Sequence, residues 1–144
     1  MKTMVKEMMR KVLYLVLLSL FVLTACRENN SSPALQQIST PAPVPEEYAG
    51  KTNPFDSEAA DQGAEIFRTN CETCHGSQGH GDGPAGGSLD PKPQNLANLQ
   101  EIAADDYLFW RISAGKQGTS MVAWKGILSE EQIWQVVSFI RTLK

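Results

Sequence analysis

Residues 71–75 read Cys-Glu-Thr-Cys-His, and this segment is the most informative one for the fold and the function of the chain. Two thiols three positions apart on one turn of helix can reach the two vinyl groups of a single porphyrin. The histidine that follows can then ligate the porphyrin iron. The pattern predicts one covalently attached haem c, with Cys71 and Cys74 forming the thioethers and His75 serving as the proximal axial ligand.

Three other uses of these side chains are open. A thioredoxin-like dithiol would need a βαβ context, and no strand-rich segment flanks the motif. A zinc site would crowd its four ligands into ten residues, whereas structural zinc sites usually separate their ligand pairs. Its ligands would be Cys71, Cys74, His75 and His80. A disulfide between the two cysteines would stabilise little, because the loop that it closes is so short.

The occupant of the sixth iron position separates an electron carrier from a gas binder or a peroxidase. Four of the five methionines lie in the first ten residues, so Met121 is the single methionine after residue 10. It lies in a predicted loop that could cover the opposite haem face, and it is the predicted distal ligand. His80 is the alternative, although a solvent-exposed loop histidine is its simpler interpretation. Trp124, three residues after Met121, is a candidate haem-pocket residue.

Residues 1–25 have the pattern of a bacterial export signal. Basic side chains in the first eleven residues precede an apolar run over 12–23, which is short for a membrane span of ~20 residues. The next stretch, Leu-Thr-Ala-Cys at 23–26, resembles a lipoprotein cleavage box. It implies cleavage before Cys26, acylation of its sulfur, and attachment to the exported (periplasmic or outer) face of the membrane. An uncleaved signal anchor with Cys26 unmodified is the alternative.

Residues 26–53 are predicted to be a tether that carries the lipidated cysteine at its start. The segment is polar and then rich in proline, which favours extended backbone over helix. As a flexible chain it would have an r.m.s. reach of ~26–31 Å. The other possibility is an extended arm that becomes ordered on a partner protein.

Residues 54–144 are enough for one small domain, here the predicted haem domain. They carry seven Lys and Arg against twelve Asp and Glu. No basic patch indicates binding to nucleic acid.

Caps and apolar spacing predict three main helices in this domain and no alternating strand, so the fold class is all-α. The helices run from about Ser57 to Asn70, from Asp105 to a stop at Gly115, and from a capping box of Ser129 and Gln132 onward. A short helix is also expected over 95–101. The glycine-rich loop over 76–94 is too long for an ordinary connection, and wrapping around a prosthetic group would explain it.

The region from Phe55 to Leu143 resembles a small monohaem cytochrome c. The first helix, the haem motif, the methionine loop and the last helix all match. The resemblance implies three main helices with haem-wrapping loops, and a crossing of the first and last helices at Gly63. It also implies that a proline carbonyl accepts the N–H of the proximal imidazole. Pro84 is the candidate for that role, and Pro91 and Pro93 are its rivals.

A narrower resemblance is to the monohaem lipoprotein subunit of alternative complex III, a membrane-bound quinol oxidoreductase. It rests on the segments Gly-Asp-Gly-Pro-Ala at 81–85 and Leu-Asp-Pro-Lys-Pro-Gln-Asn-Leu at 89–96, together with the lipoprotein box. The same loop style occurs in cytochrome domains of terminal oxidases and dehydrogenases.

The predicted function is single-electron transfer by a membrane-anchored cytochrome that is not an enzyme by itself. Its partners would be redox proteins or the subunits of a respiratory or photosynthetic complex. The rivals are a haem peroxidase or ligand sensor with a labile methionine ligand, and a structural subunit whose haem lies off the electron path.

Overall fold

The structure, a computed structural model, describes residues 4–7, 9–11 and 41–144. Residues 4–7 and 9–11 are helical and belong to one unit, and residues 41–144 belong to a second compact unit. The predicted cleavage site and Cys26 lie outside the described residues. Within the described ranges, no helix combines the length and apolar character that a membrane crossing requires.

Five α-helices and two 3-10 turns make up the unit over residues 41–144, in which no β-strand is formed. The helices are α1 (Ala60–Asn70), α2 (Glu72–His75), α3 (Leu96–Ile102), α4 (Asp105–Ala114) and α5 (Glu130–Ile140). The 3-10 turns are Ser57–Ala59 and Gly86–Ser88. The prediction of an all-α fold is confirmed.

Capping residues determine where several of the helices begin and end. Asp56 accepts a hydrogen bond from the Glu58 N–H, so the first predicted helix begins where expected, although as a 3-10 turn that leads into α1. Ser129 and Gln132 close a capping box at the start of α5. Gly115 ends α4 with a φ of 68°, a left-handed conformation that favours glycine.

Helices α1 and α5 cross with their backbones nearly in contact at Gly63. A Cβ built on Gly63 would lie 1.9 Å from the Gln135 carbonyl oxygen and 3.0 Å from Cβ of Phe139. Only a residue without a side chain fits this crossing. The expected role of Gly63 is confirmed.

The core lies between α1, α4 and α5. Its most deeply buried large side chains are Phe67, Ile133, Val136 and Val137. The Phe109 ring stacks on Trp134 with centroids 4.1 Å apart, which joins α4 to α5. The Arg141 guanidinium bridges the same two helices through Asp105 Oδ1, at 2.6 Å from Nη2.

Residues 41–53, which we call the strap, belong to this unit and not to a free tether. Tyr48 is 7% exposed and packs on the Phe109 ring with centroids 6.2 Å apart. The side-chain amide of Asn53 donates to the Trp134 carbonyl at 3.2 Å and to Ser138 Oγ at 2.8 Å. The compact unit of the structure therefore begins before residue 54, the predicted start of the haem domain. Proline excludes helix here, but it does not prevent an extended segment from packing.

Candidate haem site

A cavity of about 460 Å³ opens between the helices and the loops that follow α2 and α4. Its volume is in the range of sites that hold small organic ligands. Much of its wall is apolar, and this part includes Phe67, Leu96, Leu99, Leu108, Ile112, Val136 and Ile140. Cys71, Cys74, His75, Met121 and Trp124 also line this cavity. These residues, which lie in separate segments of the sequence, therefore meet at one site.

The end of α1 and the single turn of α2 place the haem motif at the cavity. The N–H groups of Cys74 and His75 both donate to the Cys71 carbonyl, at 3.1 and 2.9 Å, so the motif forms a helical turn. Both cysteines are free thiols. Burial, with a smaller contribution from Cys74, raises the pKa of Cys71 to about 12. A thiol with that pKa stays protonated at neutral pH, which disfavours a reactive dithiol in this conformation.

The imidazole of His75 is oriented by a backbone carbonyl. Its Nδ1 lies 3.2 Å from the Gln94 carbonyl oxygen, and because a carbonyl can only accept, Nδ1 carries the proton. Nε2 is then the lone-pair atom, as an iron ligand requires. Burial lowers the pKa of His75, and the Gln94 hydrogen bond opposes this in part. The imidazole is accordingly neutral at pH 7.

Pro84 does not accept this hydrogen bond, so that prediction is wrong. Pro84 is exposed and does not line the cavity. The loop after α2 first turns back onto that helix: the Ala85 N–H donates to the Thr73 carbonyl at 2.9 Å. A Cβ on Gly83 would lie 2.4 Å from the Glu72 carbonyl oxygen, so the contact is backbone to backbone. Only the later part of the loop, up to Gln94, reaches the cavity wall.

The loop that carries Met121 is fastened to the end of α4. The Met121 carbonyl accepts from the Lys116 N–H at 3.0 Å, and the Met121 N–H donates to Thr119 Oγ1 at 3.2 Å. The Trp124 N–H donates to the Ile112 carbonyl at 3.1 Å. These bonds hold the Met121 backbone in place beside the cavity.

His80, the rival distal ligand, is exposed and does not line the cavity. Its Nε2 lies 3.2 Å from the Lys144 carbonyl oxygen at the end of the chain. The structure brings Met121, and not His80, to the same cavity as His75.

Sequence reasoning missed several cavity residues. Gln94 contributes its backbone carbonyl, which every residue type has, so the sequence gives no signal for it. Pro41 and Ala42 of the strap also line the cavity. Arg111 lines it from α4, and its spacing within the helix was the available signal.

The donor set of the cavity fits a haem. Two thiols at the right spacing, a neutral imidazole and a thioether meet in a largely apolar space. A small all-α domain with a Cys-x-x-Cys-His turn and a methionine at the same cavity defines the class of c-type cytochrome domains.

The chain belongs to the cytochrome c family described as cytochrome C oxidase, cbb3-type, subunit III, whose model matches residues 58–140. Membership of the cytochrome c family implies haem c and electron transfer.

One curated relative is the cbb3-type cytochrome c oxidase subunit FixP of Azorhizobium caulinodans, 33% identical over 91 residues. The match covers 62% of this chain and 29% of that protein, so this chain spans less than a third of the length of its relative. A solved structure, the reducing HAO-like protein complex of Kuenenia stuttgartiensis, matches with a TM-score of 0.52 at 21% identity. The structural match covers 71% of this chain and 46% of the matched chain, and it shows that the two share a fold. The narrower resemblance to alternative complex III stays a prediction.

Proposed function

We propose that this chain is a one-electron carrier that holds a single haem covalently through Cys71 and Cys74, with His75 and Met121 as axial ligands. The observation that carries the proposal is that these four side chains line one cavity. When bound, the haem supplies a one-electron change between ferric and ferrous iron. The protein contributes the ligands, their orientation and the surroundings.

The residues around the cavity support a carrier whose geometry changes little on electron transfer. The Gln94 carbonyl fixes the plane and tautomer of His75 and increases its basicity. The backbone bonds to Lys116 and Thr119 hold the Met121 loop. A thioether ligand favours ferrous iron and raises the potential, and apolar walls limit access by water. A rigidly placed Met121 also opposes the open sixth position that a peroxidase or ligand sensor requires.

The carrier is proposed to be anchored at the exported face of the membrane through lipid on Cys26. Its partner is proposed to be a respiratory or photosynthetic redox complex. The name of the FixP relative supports a terminal oxidase. The lipoprotein box and the loop segments 81–85 and 89–96 support a quinol oxidoreductase of the alternative complex III type. Intact mass of the chain from native membranes tests the anchor, and the subunits that copurify with it separate the two complexes.

Replacement of Met121 tests the ligand set directly. Met121→Ala should abolish the near-infrared sulfur-to-iron charge-transfer band of the ferric protein and lower the midpoint potential, because alanine offers no sulfur. It should also open the iron to cyanide. His80→Ala is the matched control and should leave the band and the potential unchanged. A Met121→Ala protein with the wild-type spectrum, or a His80→Ala protein without the band, would reject the assignment.

A further inference from the structure

The strap forms part of the cavity wall although it lies outside the range that the family model matches. That model matches residues 58–140, and the strap ends at residue 53. Pro41 and Ala42 of the strap nevertheless line the cavity, together with His75 and Met121. This chain therefore has a wall segment in addition to the part that it shares with the family.

Residues 50–53 of the strap are fastened to two helices. The Gly50 N–H donates to Asp106 Oδ2 at 2.9 Å. The Asn53 N–H donates to Asp105 Oδ2 at 3.4 Å. Both carboxylates lie in the first turn of α4, and the side-chain amide of Asn53 adds its two bonds to α5. This end of the strap is therefore held by side chains and backbone groups of the folded unit.

Residues 41–45 of the strap are stiff. Prolines at positions 41, 43 and 45 fix φ and have no N–H group. A turn follows them, in which the N–H groups of Tyr48 and Ala49 donate to the Pro45 carbonyl at 2.9 and 3.0 Å. The buried Tyr48 ring holds this turn against Phe109. A stiff segment loses little conformational entropy when it docks, so this one can form a wall without a ladder of backbone hydrogen bonds.

The side chains that the strap contributes to the cavity are apolar. Pro41 is half-buried and Ala42 is exposed, and both line the cavity. Val44, between them and the turn, packs against the hydrophobic core. A porphyrin in the cavity would cover the apolar surface of Pro41 and Ala42, and burial of apolar surface is favourable. Haem binding and docking of the strap should therefore stabilise each other.

We propose that the strap is the closing wall of the haem site and shields the haem from water and from small redox reagents. This inference rests on the proposed function, because it requires a haem in this cavity. Tyr48 and Asn53 do not line the cavity, so they are positioning residues that hold Pro41 and Ala42 in place. An apolar shell controls the access of solvent to a metal site. A shielded haem exchanges electrons slowly with small solutes and keeps them for a protein partner.

The position of the Ala42 methyl group relative to the haem tests the inference directly. The measurement is NMR of the haem-loaded full chain in the ferrous state, in which the porphyrin ring current shifts nearby methyl resonances. Ala42→Gly identifies the resonance by its loss. In the wild type this methyl should be displaced from the ordinary alanine range and show nuclear Overhauser contacts to the haem. A methyl at its ordinary position without such contacts would overturn the inference.

Release of the strap should change the strap and the haem together. Tyr48→Ala removes the ring that packs on Phe109, and Tyr48→Phe, which keeps the ring, is the matched control. Tyr48→Ala should speed hydrogen exchange over residues 41–53 by about tenfold or more, because loss of a buried aromatic side chain is costly. It should also return the Ala42 methyl to its ordinary position and accelerate reduction of the ferric haem by ascorbate. Tyr48→Phe should match the wild type. Faster exchange in the strap with an unchanged Ala42 resonance and reduction rate would contradict the shielding role.

A second variant and two distinct failures keep the test decisive. If Tyr48→Ala does not load haem, Asn53→Ala takes its place and should give the same changes to a smaller extent. A wild-type Ala42 resonance and reduction rate in Asn53→Ala would then count against the inference. A wild-type chain that binds no haem would refute the proposed function itself. A normal haem and sulfur band, with the Ala42 methyl away from the haem, would refute only the role of the strap.

Discussion

Gly63→Ala should destabilise the domain strongly, although alanine is the better helix former. The added methyl carbon would lie 1.9 Å from the Gln135 carbonyl oxygen, 2.5 Å from its carbon and 3.0 Å from Cβ of Phe139. Ordinary contact begins near 3.4 Å, so α1 and α5 would have to separate by about 1.5 Å. The first atoms met are backbone, and α5 would have to move as a body.

Two opposing effects set the magnitude. Replacing a helical glycine by alanine contributes ~0.5–1 kcal/mol in favour of folding. Overpacking a well-packed contact costs typically ~1–3 kcal/mol, and a clash with backbone should reach or pass the upper end. Separation of the helices also weakens contacts around Phe67 and Phe139, whose rings lie 5.0 Å apart. The net expectation is a loss of about 2–3 kcal/mol, or a fall of roughly 10–20 °C in Tm.

Denaturant unfolding of the haem-loaded protein, followed by far-UV circular dichroism, measures this loss. Gly87→Ala is the matched control, because a Cβ there meets nothing within 4 Å. Its stability should stay within about 0.5 kcal/mol of the wild type. If Gly63→Ala unfolds at the wild-type midpoint, the close crossing of α1 and α5 is refuted.

Two further predictions concern the strap and the surface charges. Asn53→Ala removes the hydrogen bonds that fasten the strap to α5, so the free energy of unfolding should fall by about 1–3 kcal/mol in denaturant titrations. An unchanged midpoint would mean that these bonds contribute nothing in solution. Charge reversal at Lys116 and Lys125, which flank Met121, should slow electron exchange with a freely diffusing acidic partner at low salt and matter less at high salt. Stopped-flow rates that equal the wild type at every salt concentration would exclude docking through these lysines.

The features predicted correctly are those that short sequence segments specify. The capping box at Ser129, the stop at Gly115 and the cap at Asp56 depend on residues within one helical turn. The helical turn over residues 71–75 is likewise formed by hydrogen bonds between neighbouring residues. The role of Gly63 required the family resemblance, because it involves a helix far along the chain.

The features that were missed depend on the path of the chain in three dimensions. The acceptor for His75 is a backbone carbonyl, that of Gln94, and any residue in the loop could have supplied it. Proline content predicts a tether for the residues of the strap, whereas the aromatic side chain of Tyr48 is buried in the folded unit. Arg111 lies within the second predicted helix, and the fold brings it to the cavity wall.

Mass spectrometry of the peptide that contains residues 71–75, from the denatured native protein, tests the central claim most directly. The account predicts one haem per chain, retained through denaturation and bound to Cys71 and Cys74 by thioether bonds. An unmodified peptide, or a haem that separates from the chain on denaturation, would contradict it.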